Sequence, residues 1–251
     1  MHEVAENVFQ VTGSHVNWAL VRDGSDLTLI DGGYYRDYAA VRRSIHAIGS
    51  RPEDLRAILV THAHVDHIGA ASRLHEEYAI PVYASPLEVA HARREYLQQA
   101  TVGDVLKRAW RPTVLRWSVR ILRAGALHPV AIRAAQPHPT GAGPLDVPGH
   151  PVPIACPGHT SGHSAYHLPR AGVLVSGDAL VTGHPLARFT GPQLLPAFFT
   201  HSQTDAIASL AVLGRLEADV LLPGHGQPWP GSIQTAVALA AEAATAGGRC
   251  A

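Results

Sequence analysis

The chain contains little of several residue types that mark particular protein classes. Its 251 residues include only two cysteines, one methionine and one lysine, and charged residues make up 16%. Cys156 and Cys250 lie far apart, so no disulfide framework is predicted, and this cysteine usage is typical of a reducing compartment. Because Lys107 is the only lysine, we do not expect chemistry that depends on a lysine amine at other positions.

Other absences bear on partners and location. Twenty basic and 20 acidic residues give a formal net charge of zero, so the overall charge does not indicate nucleic-acid binding. Residues 1–6 lack the basic start and apolar stretch of a signal peptide. No apolar run approaches the roughly 20 residues needed to cross a bilayer. We therefore expect a cytoplasmic protein with no membrane span and no nucleic-acid partner.

Hydrophobic residues make up 46% of the chain, enough for a sizeable core. Apolar runs bounded by turn residues predict strands, and apolar positions at helical spacing predict helices. The predicted strands cover residues 8–11, 17–22, 27–30, 57–60, 80–84, 145–147, 152–156, 173–176 and 220–223. The predicted helices cover residues 38–48, 68–78, 86–94, 205–217 and 233–246.

Four residues of metal-binding types fall within six positions after the strand at 57–60. They are His62, His64, Asp66 and His67, in the pattern H-x-H-x-D-H. Imidazole suits zinc and iron, whereas carboxylate suits harder ions and can bridge two of them. The predicted loop therefore carries enough ligands for two neighbouring cations.

Three further candidates follow later apolar strands. His159, Asp178 and His225 each stand just after such a strand and beside a glycine. Glycine permits the tight or left-handed backbone that strand ends of this kind require. Together with the first loop, the sequence predicts seven candidate ligands on four loops.

The segment 98–136 differs from the rest of the chain. It contains seven basic residues and one acid, a charge of +6. Apolar residues repeat at helical spacing along one face: Leu115, Val119, Leu122 and Ala126. Pro112 is well placed to open this helix. We expect a helical insertion that either covers one edge of the site, with Arg116 and Arg120 meeting an acidic substrate, or packs on the core with its arginines in water. It also offers a surface for an oligomer.

Five segments resemble the metallo-β-lactamase superfamily. They are Asp31-Gly32-Gly33, the run from His62 to His67, Gly158-His159-Thr160, Gly177-Asp178 and Gly224-His225-Gly226. The resemblance implies an α/β fold, the four-layer αββα sandwich, with metals at one edge of its two sheets. It implies a single domain over residues 1–251, with the helical insertion at about 98–136.

The same resemblance implies roles for the candidates. His62, His64 and His159 would hold one divalent ion; Asp66, His67 and His225 would hold a second; Asp178 would bridge them. Zinc is the first expectation for both ions, with iron or manganese open. Asp31 would orient a histidine of the first loop. The implied reaction is hydrolysis by a hydroxide that bridges the metals, with Asp66 as the catalytic residue that orients it and takes its proton.

Departures from the family pattern narrow the choice of substrate class. True β-lactamases of the superfamily usually carry Cys or Ser where Asp178 stands, so the chain looks more like the glyoxalase II and lactonase branch. Only a short stretch follows His225, which disfavours the glutathione thioester of glyoxalase II. We expect a small-molecule substrate: an ester, lactone or thioester. The alternatives are a mononuclear iron persulfide dioxygenase, a phosphodiesterase-type member, or a non-catalytic metal-stabilised binding protein.

The remaining polar residues give weaker indications. Tyr34, Tyr35 and His184 are candidates to contact substrate, because they lie on loops that could face the site. Local hydrogen bonding is the simpler interpretation of two histidines, His163 and His167. A surface position is expected for four others: His2, His46, His75 and His91.

Overall fold

A computed structural model describes residues 1–139, 143–187 and 189–247 of the chain; Cys250 lies outside these ranges. The first sheet contains β1 (His2–Ala5), β2 (Val8–Thr12), β3 (Asn17–Asp23), β4 (Asp26–Ile30), β5 (Leu55–Leu59), β6 (Val82–Ala84) and β7 (Gln136–Pro137). The second contains β8 (Val152–Ala155), β9 (Ser164–Leu168), β10 (Val173–Gly177), β11 (Val220–Pro223) and β12 (Trp229–Pro230). The helices are α1 (Tyr38–Ala47), α2 (Val65–Tyr78), α3 (Pro86–Ala92), α4 (Val102–Leu106), α5 (Pro112–Ala124), α6 (Gln203–Leu213) and α7 (Ile233–Gly247).

Both sheets are mixed. In the first sheet the strands follow chain order from β1 to β7, antiparallel up to β4 and parallel from β4 onward. In the second the order is β12-β11-β10-β9-β8, with β10 and β11 parallel. Parallel neighbouring strands end at the same edge of a sheet. The loops that follow β4 and β5 therefore lie side by side, as do the loops that follow β10 and β11.

Alternation along the strands builds four layers. On β3, Trp18 and Leu20 pack in a core with α1 and α2, while Ala19 packs in a second core between the sheets. On β10, Val173 enters that middle core and Leu174 a third core with α6 and α7. Successive strand residues point to opposite faces, so each sheet buries both of its faces. This order, helix, sheet, sheet, helix, confirms the expected αββα sandwich.

The predicted elements differ from the observed ones at several places, including the following three. Residues 145–147 form no strand; the Leu145 N–H donates instead to the Pro151 carbonyl at 2.9 Å. Strand β9 was not predicted, because the polar Ser164 and His167 break its apolar pattern. Helix α2 begins at Val65 rather than residue 68. Two candidate ligands therefore occupy the first turn of a helix rather than a loop.

The insertion does contain helices, α4 and α5. However, the face of α5 that packs on the protein carries Val114, Trp117 and Ala124, whereas Leu115 and Leu122 of the predicted apolar face are about half exposed. The bulky ring of Trp117 and the small Ala124 fit against the site edge, where Ala124 packs with Tyr34 and Val16. Within the described residues, no helix combines the length and apolar character that crossing a bilayer requires.

Candidate metal centre

The structure brings all seven candidate ligands to one edge of the sandwich. Three groups of side chains place their potential ligand atoms within 4.8 Å of one another. The groups are His62, His64 and His159; His62, His67 and Asp178; and Asp66, His67 and His225. The first and third groups share no residue, and the middle group joins them. The sequence thus identified residues from four separate loops that converge in space.

Asp178 lies between the two outer groups. Its Oδ2 atom is 3.4 Å from His159 Nε2 and 3.2 Å from His225 Nε2. The same oxygen is 3.8 Å from His62 Nε2, and Oδ1 is 3.6 Å from His67 Nε2. One buried carboxylate therefore faces four imidazole nitrogens, two from each group.

These separations suit a bound cation better than direct contact. Two ligands about 2.1 Å from a tetrahedral zinc ion are roughly 3.4 Å apart, close to the spacing around Asp178. Three atoms that face the centre, His62 Nε2, His67 Nε2 and Asp178 Oδ1, are buried without a hydrogen-bond partner among the described residues. Leaving such atoms unpaired is costly, and coordination to a metal ion would remove that cost. The residues present therefore fit the metals that the sequence suggests.

Hydrogen bonds fix the rings of the first loop. The Thr61 hydroxyl donates to Asp31 Oδ2 at 2.8 Å and so accepts from His62 Nδ1 at 3.0 Å. His67 Nδ1 donates to the same Asp31 oxygen at 2.8 Å. His64 Nε2 donates to the carbonyl of Gln98 at 2.5 Å. In each ring the outer nitrogen carries the proton, so the inner nitrogen presents a lone pair to the centre.

His225 is oriented from the opposite side. Its Nδ1 donates to the main-chain carbonyl of His15 at 2.6 Å, which leaves Nε2 directed at Asp178. His15 has a φ of 71°, a left-handed conformation that is uncommon for a residue with a side chain. This strained turn aims its carbonyl at His225. Backbone strain of this kind concentrates at functional sites.

Burial and neighbouring charges divide the histidines into two sets. Burial lowers the pKa of His62 and of His159 well below the ordinary value, helped by nearby imidazoles. Burial also acts to lower the pKa of His67, but the carboxylates of Asp31, Asp178 and Asp66 outweigh it and raise that pKa well above its ordinary value. The first group therefore offers neutral ligands, whereas the second lies in a field of negative charge that suits a cation.

Gly224 makes room for the Asp178 carboxylate. A Cβ atom at this position would lie 2.2 Å from Asp178 Oδ1 and 2.9 Å from His67 Cε1. Any side chain would displace one of these two groups, so this glycine serves close approach.

A wall of rings stands beside His225. The ring of His184 lies 5.0 Å from that of His225 and packs edge-on against Trp117 and Phe199 at 5.8 and 5.1 Å. Burial lowers the pKa of His184 to about 3, so this imidazole is neutral at ordinary pH. His184 was predicted to face the site. Trp117 and Phe199 were not predicted, since neither lies in a recognisable motif.

The two tyrosine candidates lie in different surroundings. Tyr34 is buried with Val16 against the insertion, and burial together with Asp66 raises its pKa well above the ordinary value. Its phenol therefore lies in the electrostatic field of the site's carboxylates. Tyr35 instead stacks on His128 with ring centroids 3.5 Å apart.

The two arginine candidates also lie in different surroundings. Arg120 lines a shallow cleft with Gly13, Ser14, His15 and Arg123, and its Nη1 donates to His15 Nε2 at 3.2 Å. The His15 carbonyl also accepts from His225, so only His15 separates Arg120 from the candidate ligands. Arg116 is exposed and is not part of the cleft.

Comparison with known proteins gives the family. A model of the metallo-beta-lactamase superfamily matches residues 11–225. The chain belongs to the metallo-beta-lactamase superfamily. The probable metallo-hydrolase YflN of Bacillus subtilis (strain 168) is 29% identical over 246 residues, which cover 91% of this chain and 87% of that protein. The uncharacterized protein YobT of the same organism is 28% identical over 218 residues, covering 84% and 83%.

Solved structures of the superfamily share the fold. A metallo-beta-lactamase family protein from Thermus thermophilus has a TM-score of 0.67 at 22% identity, and the match covers 97% of this chain and 81% of that one. The MIM-2 metallo-beta-lactamase has a TM-score of 0.68 at 18% identity, covering 97% and 86%. The fold expected from five short motifs is thereby confirmed, and the candidate ligands in those motifs lie together at one edge of the sandwich.

Proposed function

We propose that the chain is a dinuclear metal-dependent hydrolase. His62, His64 and His159 would hold one divalent ion, and Asp66, His67 and His225 would hold the other, with zinc as the first expectation. The observation that carries this proposal is the position of Asp178, whose Oδ2 lies 3.4 Å from a nitrogen of one group and 3.2 Å from a nitrogen of the other. The name of the relative YflN, a probable metallo-hydrolase, supports the same class of activity.

When bound, a pair of divalent ions lowers the pKa of a shared water and polarises the substrate oxygen. The protein's own residues position that chemistry and move its proton. Asp66 Oδ2 lies 3.6 Å from His225 Nε2, and its side chain keeps 17% exposure where that of Asp178 keeps 3%. Asp66 therefore connects the buried centre to solvent, and we assign it the catalytic role of holding the reaction's proton and releasing it.

We propose a small ester, lactone or thioester as the substrate. The rings of His184, Trp117 and Phe199 form an aromatic wall beside His225. Arg120, in the cleft next to His15, suits an anionic group on the substrate. Tyr34 is the remaining candidate for a hydrogen bond to a substrate oxygen.

A substrate panel on metal-free and metal-reconstituted protein tests this proposal. We expect hydrolysis of a lactone, thioester or ester that requires added zinc and that falls by orders of magnitude in Asp178→Asn and His64→Ala. Loss of activity with an unchanged melting temperature separates chemistry from folding. Oxygen uptake with a persulfide and one iron per chain would contradict hydrolysis and favour the dioxygenase. Cleavage of a phosphodiester alone would contradict the ester, lactone or thioester assignment.

We also propose that the insertion mediates self-association. Seven of its large apolar side chains are exposed: Val102, Leu106, Trp110, Leu115, Val119, Leu122 and Leu127. A second copy would remove this patch from water. Light scattering on the Leu115→Ser/Leu122→Ser variant, with Leu239→Ser as an exposed control, should show loss of the oligomer in the first variant only. A wild-type monomer would contradict the proposal.

A further inference from the structure

A buried carboxylate outside the seven candidate ligands connects two of the metal loops. Glu88, on α3, is completely buried. Its Oε2 accepts from the Ala63 N–H at 2.8 Å and from His91 Nδ1 at 3.0 Å. Its Oε1 accepts from the Thr160 hydroxyl. Burying a carboxylate is costly unless donors surround it, and here every donor comes from a different segment of the chain.

The positions of these donors decide what Glu88 holds together. Ala63 stands between His62 and His64, and Thr160 directly follows His159. The carboxylate therefore ties together the two loops that supply all three imidazoles of the first group. Without it, a buried N–H and a buried hydroxyl would lose their acceptor.

His91 extends the connection to the insertion. Since its Nδ1 donates to Glu88, its Nε2 is an acceptor and receives the main-chain N–H of Gln98 at 3.3 Å. Sequence analysis assigned His91 to the surface, and that was wrong: the ring is fully buried. Its hydrogen-bond partners Glu88 and Gln98 lie only three and seven positions away, but helical spacing does not show that this face of α3 is buried.

Gln98 connects this hydrogen-bond network to a candidate ligand, His64. Its main-chain carbonyl accepts from His64 Nε2 at 2.5 Å. Its side-chain oxygen accepts from the Ser161 N–H at 2.8 Å, and its amide nitrogen donates to the Ser161 hydroxyl at 2.7 Å. A closed path of hydrogen bonds thus runs from Ala63 through Glu88, His91 and Gln98 to His64.

We propose that Glu88, His91 and Gln98 form a positioning unit that sets the geometry of the first metal group, His62, His64 and His159, before any ion binds. The unit contributes no ligand; it fixes the spacing of the two loops and the proton on the outer nitrogen of His64. This inference rests on the proposed function, because it requires that the three histidines hold an ion. Groups that orient metal-binding histidines typically change metal affinity by about 10- to 100-fold when they are removed.

Three variants of the full chain test the unit. Glu88→Ala removes all three acceptor contacts. Glu88→Gln keeps an oxygen for Ala63 and His91 and presents its amide to the Thr160 hydroxyl, which can rotate to accept. Gln98→Ala removes only the two side-chain bonds to Ser161 and leaves the carbonyl that holds His64. The matched control is Thr28→Val, which deletes a buried hydroxyl bonded to the Pro148 carbonyl at 3.0 Å, away from the centre.

The measurements are zinc affinity by chelator competition, the visible spectrum of the cobalt-substituted protein, and the melting temperature of the metal-free protein. We expect Glu88→Ala to weaken zinc binding by about 10- to 100-fold and to alter the cobalt spectrum, with Glu88→Gln recovering part of the affinity. Gln98→Ala should show a smaller loss, and Thr28→Val a lower melting temperature with unchanged metal binding. If Glu88→Ala does not fold, the other two variants carry the test.

Two contrary results have different meanings. If wild-type protein binds zinc and the Glu88 and Gln98 variants bind it equally well with the same cobalt spectrum, the positioning unit is overturned and the proposed function stands. If wild-type protein binds no divalent ion, the proposed function fails and this inference fails with it.

Discussion

Asp31 and His67 are 36 positions apart, and a 2.8 Å hydrogen bond joins the Asp31 carboxylate to the outer nitrogen of the His67 ring. The other Asp31 oxygen accepts from the Thr61 N–H at 2.9 Å. The carboxylate at the end of β4 is thereby fixed to the start of the loop that follows β5. It sets both the tilt of the His67 ring and the nitrogen that carries the proton.

Asp31→Asn should therefore weaken metal binding in the second group. The amide can present a donor to His67 Nδ1, which favours the wrong tautomer and turns the lone pair away from the centre. We expect a loss of about 10- to 100-fold in affinity for the ion held by Asp66, His67 and His225, measured by calorimetric zinc titration. Equal titrations for wild type and variant, both fully folded, would show that Asp31 does not orient this ligand.

Gly224→Ala should damage the centre through space alone. The added Cβ would lie 2.2 Å from Asp178 Oδ1, so the Asp178 carboxylate must move. We expect metal content to fall while circular dichroism still reports a folded sandwich. The control is Gly143→Ala, because a Cβ there meets nothing within 4 Å. Normal metal content in Gly224→Ala would show that the centre tolerates a displaced Asp178.

The sequence predicted the site better than its surroundings. The H-x-H-x-D-H run is local, and glycines next to His159, Asp178 and His225 identify the other loops, so these residues could be found without coordinates. Glu88 offered no such signal. Its role depends on α3 packing against two loops, the second of them distant in the chain.

The insertion shows a second limit. Helix α5 has apolar residues on two faces, and spacing alone does not decide which face packs. The structure buries Trp117 beside His184 and leaves Leu115 exposed. Strand β9 was missed because polar groups interrupt its apolar pattern, yet the Tyr166 hydroxyl is buried there and donates to the Val60 carbonyl at 2.9 Å.

Arg120→Gln should raise KM for an anionic substrate and leave KM for a neutral analogue unchanged, since the guanidinium lines the cleft beside His15. A favourable charge contact at an exposed cleft contributes about 1 kcal/mol, so we expect roughly a fivefold effect that weakens in high salt. Steady-state kinetics at two ionic strengths measure it. Arg133→Gln, an exposed arginine of the same insertion, is the control. A KM that is equally raised for both substrates would contradict a charge contact.

His138 should make folding sensitive to acid, independently of the metals. The Tyr166 hydroxyl, which donates to Val60, accepts from His138 Nε2 at 2.8 Å, and burial lowers the pKa of His138 to about 4. Because the unfolded histidine titrates near 6.5, the unfolded chain binds more protons between these values. The contribution of neutral His138 to folding stability is complete above about pH 6.5 and is lost as pH falls toward about 4.

Urea unfolding with chelator at pH 7.5 and pH 5 measures this loss. We expect the free energy of unfolding of wild type to fall by about 1–2 kcal/mol more than that of His138→Gln over this interval. His2→Gln, which replaces an exposed histidine, should behave like wild type. The same pH dependence in His138→Gln and wild type would refute the assignment.

The most direct test of the account is the metal stoichiometry of the purified 251-residue chain, measured by inductively coupled plasma mass spectrometry after zinc reconstitution and removal of excess metal. If Asp178 joins two complete ligand groups, wild type should hold two zinc ions per chain, and Asp178→Asn should hold fewer while remaining folded. A wild-type value of one ion per chain that does not rise with excess zinc would contradict the dinuclear centre.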